Sequence, residues 1–191
     1  MRKCAKPLPS LWLMTDERLG DEALLAAVAR LPKGSGVVFR HYRTERTERR
    51  ALFEKVRAIA LRRRLVLLVA GEWPGGPMRR IAGRHTPGWM RGRRARGGAE
   101  KNKRAALLSM PVHDARDMVM ARRAGADMVF VSPVFPTRSH PGGEALGAIG
   151  FGRLVRGADM KVMALGGMSV QRFRRLKGLG ADGWAGIDAL R

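Results

Sequence analysis

The chain has 191 residues, with 38 Lys and Arg against 16 Asp and Glu, a formal net charge of +22, 45% hydrophobic residues and 6% aromatic ones. That length buries one good core without forcing a second, so a single domain over residues 1–191 is expected, and no apolar run approaches the roughly 18 residues of a membrane span. The N-terminus is basic but meets Pro7 and Pro9 where a secretory leader needs apolar residues, which points to the cytoplasm, while a single cysteine, Cys4, excludes an internal disulfide framework and a cysteine metal site.

Leu11 to Thr15 is a short apolar run ending at Asp16, read as a strand. After Gly20 the spacing turns helical, with Leu24, Val28 and Leu31 at i, i+4 and i+7 behind Asp21 as a cap. A second strand, Val37 to Tyr42, leads to a helix that opens at Thr47 and places Leu52, Val56 and Ile59 on one face. Leu65 to Ala70 is continuously apolar, as strands covered on both faces are. The segment Glu72 to Pro77 holds two prolines and two glycines and predicts only a degenerate third helix. Arg80 to His85 is a weak strand, followed by a basic stretch from Arg91 to Lys103.

Regular alternation returns with a strand at Ala105 to Val112 and a helix capped by Asp114 in which Ala115, Met118 and Val119 share a side. Asp127 to Val131 is the next strand. A long loop through Gly147, a short helix at Ile149 to Val155 and a strand at Lys161 to Leu165 come after it. Ser169 caps a helix carrying Val170, Phe173 and Leu176, ended by Gly178 and Gly180. The last strand, Asp182 to Ala185, leaves only Gly186 to Arg191 for a degenerate last helix.

Eight strands alternating with helices predict an α/β fold of the small (β/α)8 TIM barrel kind, with an open doubly wound sheet as the alternative. The first strand lacks a Gly-x-Gly-x-x-Gly turn after it, which favours the barrel. In a barrel the loops after the strands form the functional face. Thr137, Arg138, Ser139 and His140 sit there between Pro136 and Pro141, presenting hydroxyls and cations suited to a phosphate; the other reading is a proline-bounded surface turn. Gly166 and Gly167 directly follow the seventh strand and precede a helix start, where backbone approaches an anion closely.

His113 closes the fifth strand, either as a general acid or base or as a structural histidine beside the Asp114 cap. Arg40, at the end of the second strand, either faces the mouth and pairs with phosphate or is a rim arginine. No histidine spacing suits a metal, and no metal ligand is assigned. The few aromatic residues and the absence of a reading motif argue against nucleic acid as a partner, leaving small anionic substrates and solvated arginine-rich helix faces to account for the charge. A homo-oligomer is compatible with the sequence.

Several of these segments resemble the thiamine-phosphate synthase and thiazole tautomerase family of small (β/α)8 barrels. Ser132 to Gly142 is similar to that family's Gly-Pro-Ile-Phe-Pro-Thr-x-Thr-Lys-x-Gly loop, and Ala164 to Met168 to its Ala-Ile-Gly-Gly-Ile turn. Pro111-Val112-His113 falls where the family carries Ser-x-His, Ala124 to Asp127 matches its Gly-Ala-Asp, and Leu11 to Asp16 its opening Leu-Tyr-Leu-Ile-Thr-Asp. The resemblance implies a cytoplasmic thiamine-biosynthesis transferase that joins hydroxymethylpyrimidine pyrophosphate to a thiazole phosphate with release of pyrophosphate. Thr137, Ser139, Gly166 and Gly167 would hold the thiazole phosphate, Ile187 and Asp188 align with the last phosphate-loop pair, and Arg40 matches an arginine of the pyrophosphate segment.

Magnesium is expected for the family, yet its ligands are missing here. The family's Asn-Asp after strand three is Ala70-Gly71, and no aspartate follows His85. The family's Gln and Lys in the pyrophosphate segment are Val38 and Tyr42, its loop serine is Pro111, and its loop lysine is His140. This pattern also suits tautomerase-like proton transfer through His113, or a non-catalytic binder of phosphate esters or polyanions.

Overall fold

The computed structural model describes residues 7–71, 81–90, 106–137, 144–187 and 190. Eight parallel strands run in sequence order: β1 (Leu11–Met14), β2 (Gly36–Phe39), β3 (Val66–Ala70), β4 (Gly83–His85), β5 (Leu107–Val112), β6 (Met128–Val131), β7 (Lys161–Ala164) and β8 (Gly183–Gly186). The last pairs back onto the first, so the sheet closes into a barrel and the open-sheet alternative falls. Helices α1 (Asp21–Arg30), α2 (Arg46–Arg63), α3 (Ala115–Arg123), α4 (Gly147–Val155) and α5 (Val170–Leu176) follow β1, β2, β5, β6 and β7. The degenerate third helix and the basic stretch fall on residues 72–80 and 91–105, outside the described residues; of the degenerate last helix, only Ile187 and Leu190 are described.

Strand alternation divides the core. Leu13, Val37, Phe39, Leu67 and Val69 pack outward against Leu24, Val28, Leu52, Phe53 and Val56 of α1 and α2. Val129, Val131, Val162 and Ala164 form a second layer with Met118, Phe151 and Phe173. The barrel interior is a separate cluster of Trp12, Met14, Val38, Leu68, Ala70, Met128, Phe130, Met163 and Ala185. Trp12 is its plug: fully buried, it donates its indole N–H to the Pro9 carbonyl at 2.7 Å and meets Phe130 edge to face at 5.8 Å. Gly36 sits opposite it in register, and a Cβ there would lie 2.1 Å from the indole.

Four local expectations shift. The α1 cap is Gly20, with Asp21 already inside the first turn, where its charge suits the helix dipole without making a cap bond. Helix α2 opens one residue earlier than Thr47, because the Glu45 carboxylate caps the amides of Thr47 and Glu48. Strand β2 stops at Phe39 rather than Tyr42, since Arg40 N–H turns to the Thr15 hydroxyl at 2.9 Å and His41 enters positive φ, 25°. The buried side of α3 is Asp117, Met118 and Ala121, while Val119 is exposed. Asp117 is drawn inward because its carboxylate accepts the His113 amide at 2.9 Å.

Gly36→Ala is expected to destabilise the fold by about 2–3 kcal/mol through overpacking against Trp12. In a denaturant titration the double variant with Trp12→Leu should fall short of the sum of the two single losses, because the two positions share one space.

Candidate functional site

A cavity of about 730 Å³ opens at the C-terminal mouth of the barrel. Met14, His85 and Phe130 line it from the barrel interior, and loops after β2, β4, β5, β6, β7 and β8 form its walls. Arg40, His113, Thr137, Gly166, Gly167 and Ile187 all line this one space, so six of the residues singled out from the sequence converge. Arg138, Ser139, His140 and Asp188 lie outside the described residues.

One wall is backbone. The segment after β6 continues alongside the segment after β7, with Val134 N–H on the Leu165 carbonyl at 2.9 Å and Phe135 N–H on the Gly166 carbonyl at 3.1 Å. Gly166 and Gly167 both hold positive φ, 91° and 59°. Added Cβ atoms would lie 2.8 Å from Pro133 Cα and 2.5 Å from the Pro136 carbonyl, so only glycine fits the contact. The amides of these two glycines donate to nothing among the described residues. Consecutive unengaged amides with positive φ form the concave donor set that suits an anion. Helix α5 adds less than the sequence suggested: it is 7 residues long, and Ser169 already caps the Arg172 amide.

Across the mouth, His113 is exposed at the end of β5, with Nδ1 2.6 Å from the Ser132 carbonyl. A carbonyl only accepts, so Nδ1 carries the proton in the neutral ring and Nε2 carries the lone pair. Arg40 is held by its Nε on the Thr15 carbonyl at 2.7 Å, with a terminal nitrogen 3.6 Å from Asp16. Asp16 is clasped by Arg18 at 2.7 and 2.8 Å, and that hydrogen bonding holds its carboxyl down at about 2. Burial pushes the Arg40 pKa down from its ordinary value.

The side formed by β2, β3 and β4 is aromatic and was not assigned a role from the sequence. Tyr42 meets Trp89 edge to face at 5.9 Å and covers Gly71. His85 is 6% exposed, stands edge to face on Phe130 at 5.6 Å and places Nδ1 3.0 Å from Ser109 Oγ. Burial, helped by the Arg40 charge, holds its pKa down at about 3. The sequence signal for this side was the pair of departures at Tyr42 and Gly71, which read as losses and are a packed contact.

The sequence model of the thiamine monophosphate synthase family matches residues 11–190. A protein of Aquifex aeolicus (strain VF5) named "Putative thiamine-phosphate synthase 2" is 25% identical over 183 residues, 94% of this chain and 96% of that protein. The thiamine-phosphate synthase of Geobacillus thermodenitrificans is 31% identical over 86 residues, 44% of this chain and 39% of that one. Among solved structures, thiamine phosphate pyrophosphorylase from Pyrococcus furiosus superposes with a TM-score of 0.70 at 18% identity, over 94% of this chain and 86% of the other, a likeness of fold.

A histidine kept neutral by the folded state links stability to pH. The unfolded chain takes up a proton on this ring near pH 6.5 and the native one only near pH 3, so stability is complete above pH 6.5 and falls as pH drops between those values. The slope from this one group is about 1.4 kcal/mol per pH unit. Urea midpoints measured from pH 7 to 4 should fall less steeply in His85→Gln than in the wild type.

Proposed function

Because the chain belongs to the thiamine monophosphate synthase family, we propose that it serves thiamine biosynthesis as one barrel domain over residues 1–191 that binds a thiazole phosphate at its mouth. The observation that supports this most is the pair of unengaged amides at Gly166 and Gly167 on the same cavity as Thr137. The phosphate is assigned to those amides and to the Thr137 hydroxyl, with Arg138, Ser139 and His140 its further candidates from the sequence of the same loop. Ile187 lines the same cavity, while Asp188, which aligns with the family's last phosphate-loop pair, brings a carboxylate that repels phosphate. The cytoplasm is the compartment assigned, and among the described residues no helix is long and apolar enough to cross a membrane.

Two reactions use such a ligand. The synthase reaction breaks the bond between the pyrimidine methylene and pyrophosphate, forms a bond from that carbon to the thiazole nitrogen, and releases pyrophosphate. Magnesium, expected for the family, does not fit the described residues: no three His, Cys, Asp or Glu side chains come together among them. At the places where carboxylates are expected stand Ala70-Gly71 and Thr86-Pro87, and Asp16 is engaged by Arg18 and Arg40. What this chain supplies to the coupling is the site for the accepting thiazole and the Arg40 charge.

The second reading is tautomerase-like proton transfer on the thiazole phosphate. The His113 to Ser132 hydrogen bond favours it, since it fixes the ring with Nε2 as the base and needs no departing pyrophosphate.

Purified protein should bind thiazole phosphate, and Thr137→Ala should weaken that binding about tenfold; unchanged affinity sinks the phosphate site. Incubation with hydroxymethylpyrimidine pyrophosphate, thiazole phosphate and magnesium decides the reaction, because thiamine phosphate above background assigns the synthase chemistry. In the parallel tautomer assay, His113→Ala should slow interconversion by about 10²–10⁴-fold with affinity retained.

A further inference from the structure

At the end of the barrel opposite the cavity, we infer a platform of arginines that binds the phosphate backbone of a duplex nucleic acid without reading its sequence. The placement comes from topology. Each of α1 to α5 ends on the way into a following strand, so their C-termini gather at the face where the strands start, while the cavity opens where the strands end. Arg30, Arg62, Arg123, Arg156 and Arg175 stand at those five ends, one to a helix, and all are exposed.

One cation per helix end has a local reason, since it complements the helix dipole. The ends of this chain carry more. Arg62 is followed by Arg63 and Arg64, Arg122 precedes Arg123, and Arg174 precedes Arg175. The carboxylates divide the other way, with Asp21, Glu22, Glu48 and Asp117 in first helical turns on the side of the mouth. Among the described residues, the acids at the platform end are Asp127, Asp159 and Asp182, and each is engaged. Asp127 accepts the Leu108 amide at 2.8 Å, Asp159 pairs with Arg122 at 3.4 Å, and Asp182 pairs with Lys161 at 2.6 Å. The five exposed arginines pair with no carboxylate among the described residues.

The surface selects the kind of anion. Docking on an anionic membrane interleaves cations with large apolar side chains, and a single strand stacks its bases on aromatic rings. Among the described residues the exposed aromatic side chains, Tyr42 and Trp89, belong to the mouth, and the platform end offers only the part-exposed Leu61 and Leu179. A duplex needs neither, because it presents closely spaced phosphates on a stiff surface and guanidinium groups pair with phosphate oxygens two at a time. The scarcity of aromatic residues and of a reading motif bears on base recognition and not on contact with the backbone.

Fluorescence anisotropy on the full chain tests this with a labelled duplex DNA of mixed sequence and the same duplex as RNA, which should bind alike. A dissociation constant on the order of 10⁻⁶ M at about 100 mM salt is expected, with log K falling against log salt at a slope steeper than about −3. The triple variant Arg62→Gln, Arg123→Gln, Arg175→Gln should bind about tenfold more weakly and lose about 2–3 from that slope. Arg43→Gln, Arg46→Gln and Arg116→Gln together remove the same charge from exposed positions at the mouth end, and screening should keep their effect within about twofold. Urea midpoints close to the wild type's show that both triples fold. Equal losses in the two triples would reduce the effect to net charge and overturn the platform. So would no binding of either duplex, tighter binding of phosphatidylserine vesicles than of the duplex, or displacement of the duplex by thiazole phosphate. The platform and the thiazole-phosphate site lie at opposite ends of the barrel, so each assignment stands or falls alone.

Discussion

The packing of Trp12 inside the barrel is the constraint on which the rest depends. The barrel makes room for an indole in its interior by placing Gly36 at the same level on the neighbouring strand. The indole then supports Phe130 by an edge contact, and Phe130 supports His85 by another, at 5.8 and 5.6 Å. A chain of ring contacts thus runs from the plug of the barrel to the lining of the cavity. Because cores pack densely, the height of the functional layer follows from the volume below it.

Above that layer the mouth divides by the kind of chemistry each wall offers. The segments after β6 and β7 meet so closely that side chains are excluded at Gly166 and Gly167, and what remains to face the cavity is main chain. The opposite side is built from rings, Tyr42, Trp89 and His85, with the desolvated Arg40 beside them. His113 stands between the two walls, held by a carbonyl of the segment after β6. Main-chain amides and aromatic rings therefore line one cavity from separate walls.

Among the described residues, much of the positive charge lies on outer helix faces. Arg46, Arg50 and Arg62 of α2 and Arg172, Arg174 and Arg175 of α5 are exposed, as solvated helix faces require. Arg49 is the contrast: buried, it donates to the Ala70 carbonyl at 3.0 Å and lies over Phe39, tying α2 to the end of β3. Among the described residues arginine thus serves both as solvent cover on helix faces and, at Arg49, as an internal clamp.

The strand and helix order was legible in the residues because apolar periodicity is local, and eight alternating units leave a closed parallel barrel as the natural solution. The convergence of Thr137, Gly166 and Gly167 on one cavity was legible too, through the glycine pair after the seventh strand and the hydroxyl in the loop after the sixth, which the chain order of a barrel brings to one face. Other features depended on contacts between distant segments. The turn of Arg40 toward the Thr15 hydroxyl, the inward draw of Asp117 and the neutral His85 on Ser109 each join residues 4 to 25 positions apart. Tyr42 and Gly71 show the difference most clearly. In the sequence they are departures from a family pattern, and only the fold brings the ring over the glycine and beside Trp89. Periodicity and short motifs determine which elements form; closure of the barrel determines which side chains meet, because proximity across strands is a property of the sheet and not of the chain.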